Sequence, residues 1–219
     1  MTEIKFGSVR ALIFDLDGTL IDSKQDLIHS VNAMLRELGR SALPEETISG
    51  YIGHGAPQLV SRALGDGCTE EERQRALEFF LRYYETHKMD TTCAYPGVAE
   101  TLEKLAGMPM AVLTNKPVRI SVRILDAMGL VKYFRAIYGG NSFETKKPDP
   151  LGADTILQET GVAAEEALMI GDSSIDILTG RNAGMWTCGV AYGFAPRSLE
   201  AVPPDVLIES PRELGELFR

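Results

Sequence analysis

The stretch Arg10-Ala-Leu-Ile-Phe-Asp15-Leu-Asp17-Gly-Thr-Leu20 decides the fold, because a short apolar, partly β-branched run stops abruptly at a polar turn. An apolar run without polar alternation fits a strand buried on both faces, as in a parallel sheet covered by helices. Asp15 and Asp17 then stand just beyond the end of that strand, and open parallel sheets bind ligands at the carboxyl ends of their strands.

Downstream, the strand grammar vanishes for about seventy residues. Leu27, Ile28, Val31, Leu35 and Leu38 fall at three- and four-residue spacing and predict an amphipathic helix over 22–38, with Gly39 placed to stop it. Pro44 and Pro57 suit the first turns of short helices, and Thr69 with Glu72 forms a capping box before the Ala76 to Tyr84 pattern. The aromatic group Phe79, Phe80, Tyr83 and Tyr84 sits at helical spacing and reads as the core of this helical segment.

After Tyr95-Pro96-Gly97, strands and helices alternate. Strands are predicted at 110–113, 136–138, 167–170, 186–190 and 206–208, and helices at 98–105, 118–128, 151–159 and 175–182. Gly107, Gly129, Gly161 and Gly184 stand where those helices would end. The expectation is an α/β protein, a Rossmann-like parallel-sheet core carrying an inserted helical domain. Residues 1–20 and 92–219 would form the core and residues 21–91 the insertion.

Composition narrows the function. The 219 residues are 44% hydrophobic and 24% charged, an ordinary globular balance, with a net charge of −9. That charge disfavours non-specific attraction to nucleic acid or anionic lipid, so neither is an expected partner. No apolar run approaches the roughly 20 residues that span a bilayer. The three cysteines, Cys68, Cys93 and Cys188, are odd in number and widely spaced, and are read as free thiols. The N-terminus lacks the apolar core of a signal peptide, so a soluble cytoplasmic location is expected.

Three polar clusters follow predicted strands: Asp15 with Asp17, Thr114-Asn115-Lys116, and Gly171-Asp172. A single Asp at a strand end is more often a cap or turn residue. Three clusters at three strand ends point instead to one convergent site. Such a set can supply a carboxylate nucleophile and a second carboxylate for acid/base work. A lysine and a hydroxyl can offset charge on transferring oxygens, while a hard cation, Mg²⁺, keeps crowded acids ionised.

Asp15-Leu16-Asp17-Gly18-Thr19-Leu20 resembles the opening motif of the haloacid dehalogenase superfamily. Thr114, Lys147 in Lys147-Pro148-Asp149-Pro150, and Gly171-Asp172-Ser173-Ser174-Ile175-Asp176 resemble its later motifs, in order along the chain. The resemblance implies that Asp15 is the nucleophile and a Mg²⁺ ligand. Asp17 would be the acid/base, with its backbone carbonyl on the metal, and Asp172 a further ligand. Thr114 would hold a phosphoryl oxygen, and Lys147, rather than its neighbour Lys146, would offset negative charge. Asp176, Gly18 and Thr19 would support the site from behind. The insertion is similar to the superfamily's mobile cap, and the expected partner is a small phosphorylated metabolite. Oligomeric state stays open between monomer and homodimer.

Within the superfamily, Thr114-Asn115-Lys116 and Gly53-His54-Gly55-Ala56-Pro57 resemble bacterial phosphoglycolate phosphatases. By that likeness, Gly53, His54, Gly55, Asn115 and Lys116 bind a 2-phosphoglycolate substrate. Gly53 and Gly55 equally make ordinary turns, and His54 also fits an exposed loop residue. His29 and His87 read as surface or packing residues. β-Phosphoglucomutase-like transfer and pyrophosphate cleavage remain open on the same fold. From another class, a non-catalytic phospho-aspartate signalling module shares Asp, Thr and Lys but lacks the large insertion and the second carboxylate.

Overall fold

The computed structural model describes residues 6–218. The first strand, β1 (Ala11–Phe14), is buried throughout. Its alternate residues serve two apolar layers. Ala11 and Ile13 pack with Ala153, Ile156 and Leu157 on one side, and Leu12 and Phe14 join the larger cluster on the other. A strand with both faces dry has no polar face to offer, which explains its unbroken apolar run.

The chain then forms β2 (Ile21–Asp22) and four helices, α1 (Lys24–Glu37), α2 (Glu45–Ser49), α3 (Ala56–Leu64) and α4 (Glu70–His87). It returns through β3 (Cys93–Ala94), which pairs antiparallel with β2, Ile21 opposite Ala94 and Asp22 opposite Cys93. The helix α4 begins with the expected box: Thr69 Oγ1 accepts from Glu72 N at 3.2 Å, and Glu72 accepts from Thr69 N at 2.8 Å. Ala76, Phe80 and Tyr84 form its buried face. Phe79 and Tyr83 are only half-buried and stack outside it, so the aromatic group is split between core and surface.

The remainder alternates as the sequence predicts: α5 (Val98–Lys104), β4 (Met110–Leu113), α6 (Val118–Ala127), β5 (Ala136–Tyr138), α7 (Leu151–Thr160), β6 (Ala167–Gly171), α8 (Ser174–Asn182) and β7 (Trp186–Val190). Then come α9 (Pro196–Ala201), β8 (Val206–Ile208) and α10 (Pro211–Leu217). The sheet is parallel, in the order β5-β4-β1-β6-β7-β8. Its connections run one way from β1 to β4 and β5, then jump back to β6, so the order reverses beside β1. Such a switch point opens a crevice at the strand ends.

Gly129, Gly161 and Gly184 take left-handed conformations at helix ends. Gly107 does not: α5 ends at Lys104, and the chain turns through Leu105 and Ala106 without a left-handed residue. Among the described residues, no helix is long and apolar enough to cross a membrane, and the three cysteines are free thiols.

Candidate active site

The end of β1 sets the first side chain. Asp15 N–H continues the ladder by donating to Ile170 O at 2.8 Å, which places its carboxyl group at the centre of the sheet's edge. The chain then folds tightly, with Leu20 and Ile21 both donating to Leu16 O. Gly18 adopts φ +86° in this turn, and a Cβ there would come within 2.2 Å of Asp172 Oδ2. Both the backbone and the close carboxylate require glycine at this position. Asp172 follows β6, and its Oδ2 accepts from Phe194 N at 2.6 Å and Ala195 N at 3.2 Å.

Lys147 approaches from the loop before α7. Its Nζ donates to Asp15 Oδ1 at 2.6 Å and Asp176 Oδ1 at 2.5 Å, whereas Lys146 is exposed. Asp176 Oδ2 caps α8, accepting from Ser173 N at 3.1 Å and Ser173 Oγ at 2.7 Å. Carboxylate oxygens of Asp15, Asp172 and Asp176 lie within 4.8 Å of one another, all buried.

This crowding has an electrostatic consequence. Burial, with Asp176 and Asp17 nearby, pushes the Asp15 carboxyl up to about 7 even though Lys147 pulls the other way. Burial and the charges of Asp176 and Asp15 likewise raise Asp172 well above the carboxylate range. Burial disfavours the charge on Lys147, but Asp15 and Asp176 outweigh it and raise its pKa. Three buried acids against one lysine leave negative charge uncompensated. Hard oxygen donors in that arrangement fit a divalent cation such as Mg²⁺.

Because Asp15 holds its proton more tightly when folded, the metal-free protein loses stability from this group as pH rises from about 4 to about 7. Asp15→Asn removes the cost. In chelator at pH 8 its melting temperature should exceed that of the wild type, and the difference should vanish near pH 4. A variant melting below wild type at pH 8 would sink this electrostatic account.

Asp17 sits apart from the three acids. Ser23 Oγ donates to its Oδ1 at 2.5 Å, and Lys116 Nζ reaches its two oxygens at 2.8 and 3.1 Å. Lys116 Nζ is also 2.6 Å from Tyr84 Oη. Burial opposes the charge on Lys116, yet Asp17 and Tyr84 hold its pKa up. Asn115 works differently: its Nδ2 donates to Gly53 O at 3.0 Å and Lys147 O at 3.1 Å, while its Oδ1 accepts from Lys147 N. It therefore ties the Gly53 loop to the backbone of Lys147.

A cavity of about 50 Å³ joins these groups, bordered by Asp15, Asp17, Thr114, Asn115 and Lys116 below and by Gly53, Gly55 and Tyr84 above. Thr114 is buried, and its Oγ1 accepts from Lys116 N at 3.2 Å. His54 is half-buried and does not border the cavity. Gly55, at φ +86°, would bring a Cβ within 2.9 Å of Asn115 O, so a larger residue there strains the backbone as well as crowding the site. Thr19 Oγ1 is buried without a hydrogen-bond partner among the described residues. Tyr84 is the participant that the sequence reading did not single out. Helical spacing marked it as buried, and only the packing of α4 over β4's end shows that its hydroxyl meets Lys116.

Comparison with known proteins places this geometry. Residues 12–190 match the haloacid dehalogenase-like hydrolase family. The chain is 40% identical to a phosphoglycolate phosphatase of Pseudomonas savastanoi over 94% of its own length and 78% of that protein. It is 38% identical to a phosphoglycolate phosphatase of Vibrio parahaemolyticus, covering 95% of this chain and 96% of the other. A crystal structure of a predicted phosphoglycolate phosphatase from Haemophilus somnus superposes with a TM-score of 0.91 at 30% identity, over 97% of this chain and 99% of that one. By its motifs, its fold and these likenesses, the chain belongs to the haloacid dehalogenase-like hydrolase family.

Proposed function

We propose that this chain is a Mg²⁺-dependent phosphomonoester hydrolase that works through an aspartyl phosphate on Asp15, with 2-phosphoglycolate as substrate. The carrying observation is Asp15 itself: a buried carboxylate 2.6 Å from Lys147 Nζ, beside Asp172 and facing a cavity that Asp17 shares. Curated relatives named phosphoglycolate phosphatase support the substrate. The cavity is consistent with it, since it brings Asp15, Asp17 and Lys116 to one space with Tyr84.

In the first half-reaction an Asp15 oxygen attacks phosphorus, the bond to the alcohol oxygen breaks, and Asp17 gives that oxygen a proton. In the second, Asp17 takes a proton from water, whose oxygen attacks phosphorus and frees the Asp15 carboxylate. Ser23 Oγ and Lys116 Nζ hold the Asp17 side chain in position for both halves. Lys147 offsets negative charge on Asp15 and the phosphoryl oxygens, and Thr114 holds one of those oxygens. Mg²⁺ would be held by Asp15, Asp172 and the Asp17 carbonyl, where it neutralises phosphoryl charge. Residues 21–91 serve as a cap over the core of 1–20 and 92–219, and its closure excludes water.

A phosphate-release assay across 2-phosphoglycolate, β-glucose 1-phosphate, nucleotides and pyrophosphate tests both parts of the reading. 2-Phosphoglycolate should show the highest kcat/KM, chelator should abolish turnover, and Mg²⁺ should restore it where Ca²⁺ does so poorly. Full activity in excess chelator refutes the metal assignment. A higher kcat/KM for the sugar phosphate or pyrophosphate overturns the substrate.

A further inference from the structure

The cap side of the cavity is almost wholly apolar. Its side chains there are Leu27, Ile52, Leu59, Phe80 and Leu81, with Ala56 and two glycines, and Tyr84 alone among them carries a polar group. Tyr84 is 2% exposed and lies one turn beyond Phe80, whose ring it parallels at 5.8 Å. That stack fixes the direction of the phenol, and the hydroxyl emerges where cap meets core, 2.6 Å from Lys116 Nζ. The same ammonium lies 4.6 Å from the centre of the Tyr84 ring.

A hydroxyl that accepts from an ammonium still has its own proton to donate. Burial pushes the Tyr84 phenol up to about 12, so that proton is present throughout the neutral range. The charge of Lys116 is already partly offset by Asp17, 2.8 Å away. A neutral donor next to it adds direction and short range. Lys116 directs its three N–H groups to the two Asp17 oxygens and Tyr84 Oη, so a bound carboxylate takes the place of one Asp17 oxygen; with the Tyr84 hydroxyl, one donor from the core and one from the cap border the cavity.

We propose that Tyr84 is the cap's specificity-determining residue, its hydroxyl and the Lys116 ammonium together receiving the carboxylate of the leaving group. This rests on the 2-phosphoglycolate reading above. Because Tyr84 rides on α4, the pair is complete only with the cap in place, which ties recognition of the carboxylate to closure.

The test compares wild type with Tyr84→Phe, which keeps the ring stack and removes only the hydroxyl. Substrates are 2-phosphoglycolate and ethyl phosphate, which has a methyl in place of the carboxylate; glycolate serves as a competing product. The kcat/KM for 2-phosphoglycolate should fall about tenfold to a hundredfold, as for one lost hydrogen bond to a charged group. That loss should exceed the loss on ethyl phosphate by at least about fivefold, and inhibition by glycolate should weaken alongside it. Equal losses on the two esters, with glycolate inhibition unchanged, would overturn the assignment while leaving the substrate standing. A wild type that does not prefer 2-phosphoglycolate to ethyl phosphate would remove the substrate reading itself, and this inference with it.

Discussion

Asp15→Asn is expected to lower kcat by about 10⁴-fold or more, the scale on which loss of a covalent nucleophile acts. The amide oxygen cannot attack phosphorus, and the side chain that replaces the carboxylate also weakens the pairing with Lys147 at 2.6 Å. The fold should survive, since neighbouring Asp176 keeps its own contact with Lys147 at 2.5 Å. Mass measurement of acid-quenched protein should show an added phosphoryl group on wild type mixed with substrate and none on the variant. Near-normal turnover by folded Asp15→Asn would remove Asp15 from the chemistry altogether.

Asp26→Ala should carry the largest cost in stability. Asp26, 1% exposed in the first turn of α1, accepts hydrogen bonds from the N–H and hydroxyl of Thr91 and Thr92, at 2.6 to 3.1 Å. Thr92 is buried and would be left with donors far from water, whereas exposed Thr91 can turn to solvent. Discounting the Thr91 bonds, the loss comes to about 3 kcal/mol. For a chain of this size that means a melting temperature lower by roughly 10 °C. Burial alone would raise the Asp26 pKa, but the threonine donors outweigh it and hold it below the ordinary value. Its stabilisation is therefore present above pH 4 and is lost as pH falls through the folded pKa, so wild type and variant should converge in acid. A variant melting within 2 °C of wild type, roughly, at pH 7 would show that the return segment is held by something else.

Most of the sheet was legible because its strands spell themselves as apolar runs, the inner β1, β4 and β6 being buried throughout and the edge strands β5 and β8 only partly. The predicted strands at 110–113, 136–138, 186–190 and 206–208 coincide with β4, β5, β7 and β8. The pair β2 and β3 was not foreseen, since two residues are too few for any periodicity to register. The helices α9 and α10 also escaped notice, being six and seven residues long, although Pro196 and Pro211 each mark a first turn. Asp15, Asp17 and Asp172 were readable because each follows an apolar strand, and Lys147 through the likeness of Lys147-Pro148-Asp149-Pro150 to a family motif. Tyr84 was not: period 3.6 says that a side chain is buried, never what it is buried against. Asp26 hid for a related reason, its partners lying 65 and 66 residues away along the chain.

The rung formed by Ile21 with Ala94 and Asp22 with Cys93 brings the two ends of the insertion together at one point on the core. None of the strand pairs of the sheet passes through the seventy residues between, since β1 pairs directly with β4 and β6. A lineage can therefore lengthen, shorten or exchange the helices while the strand order stays untouched.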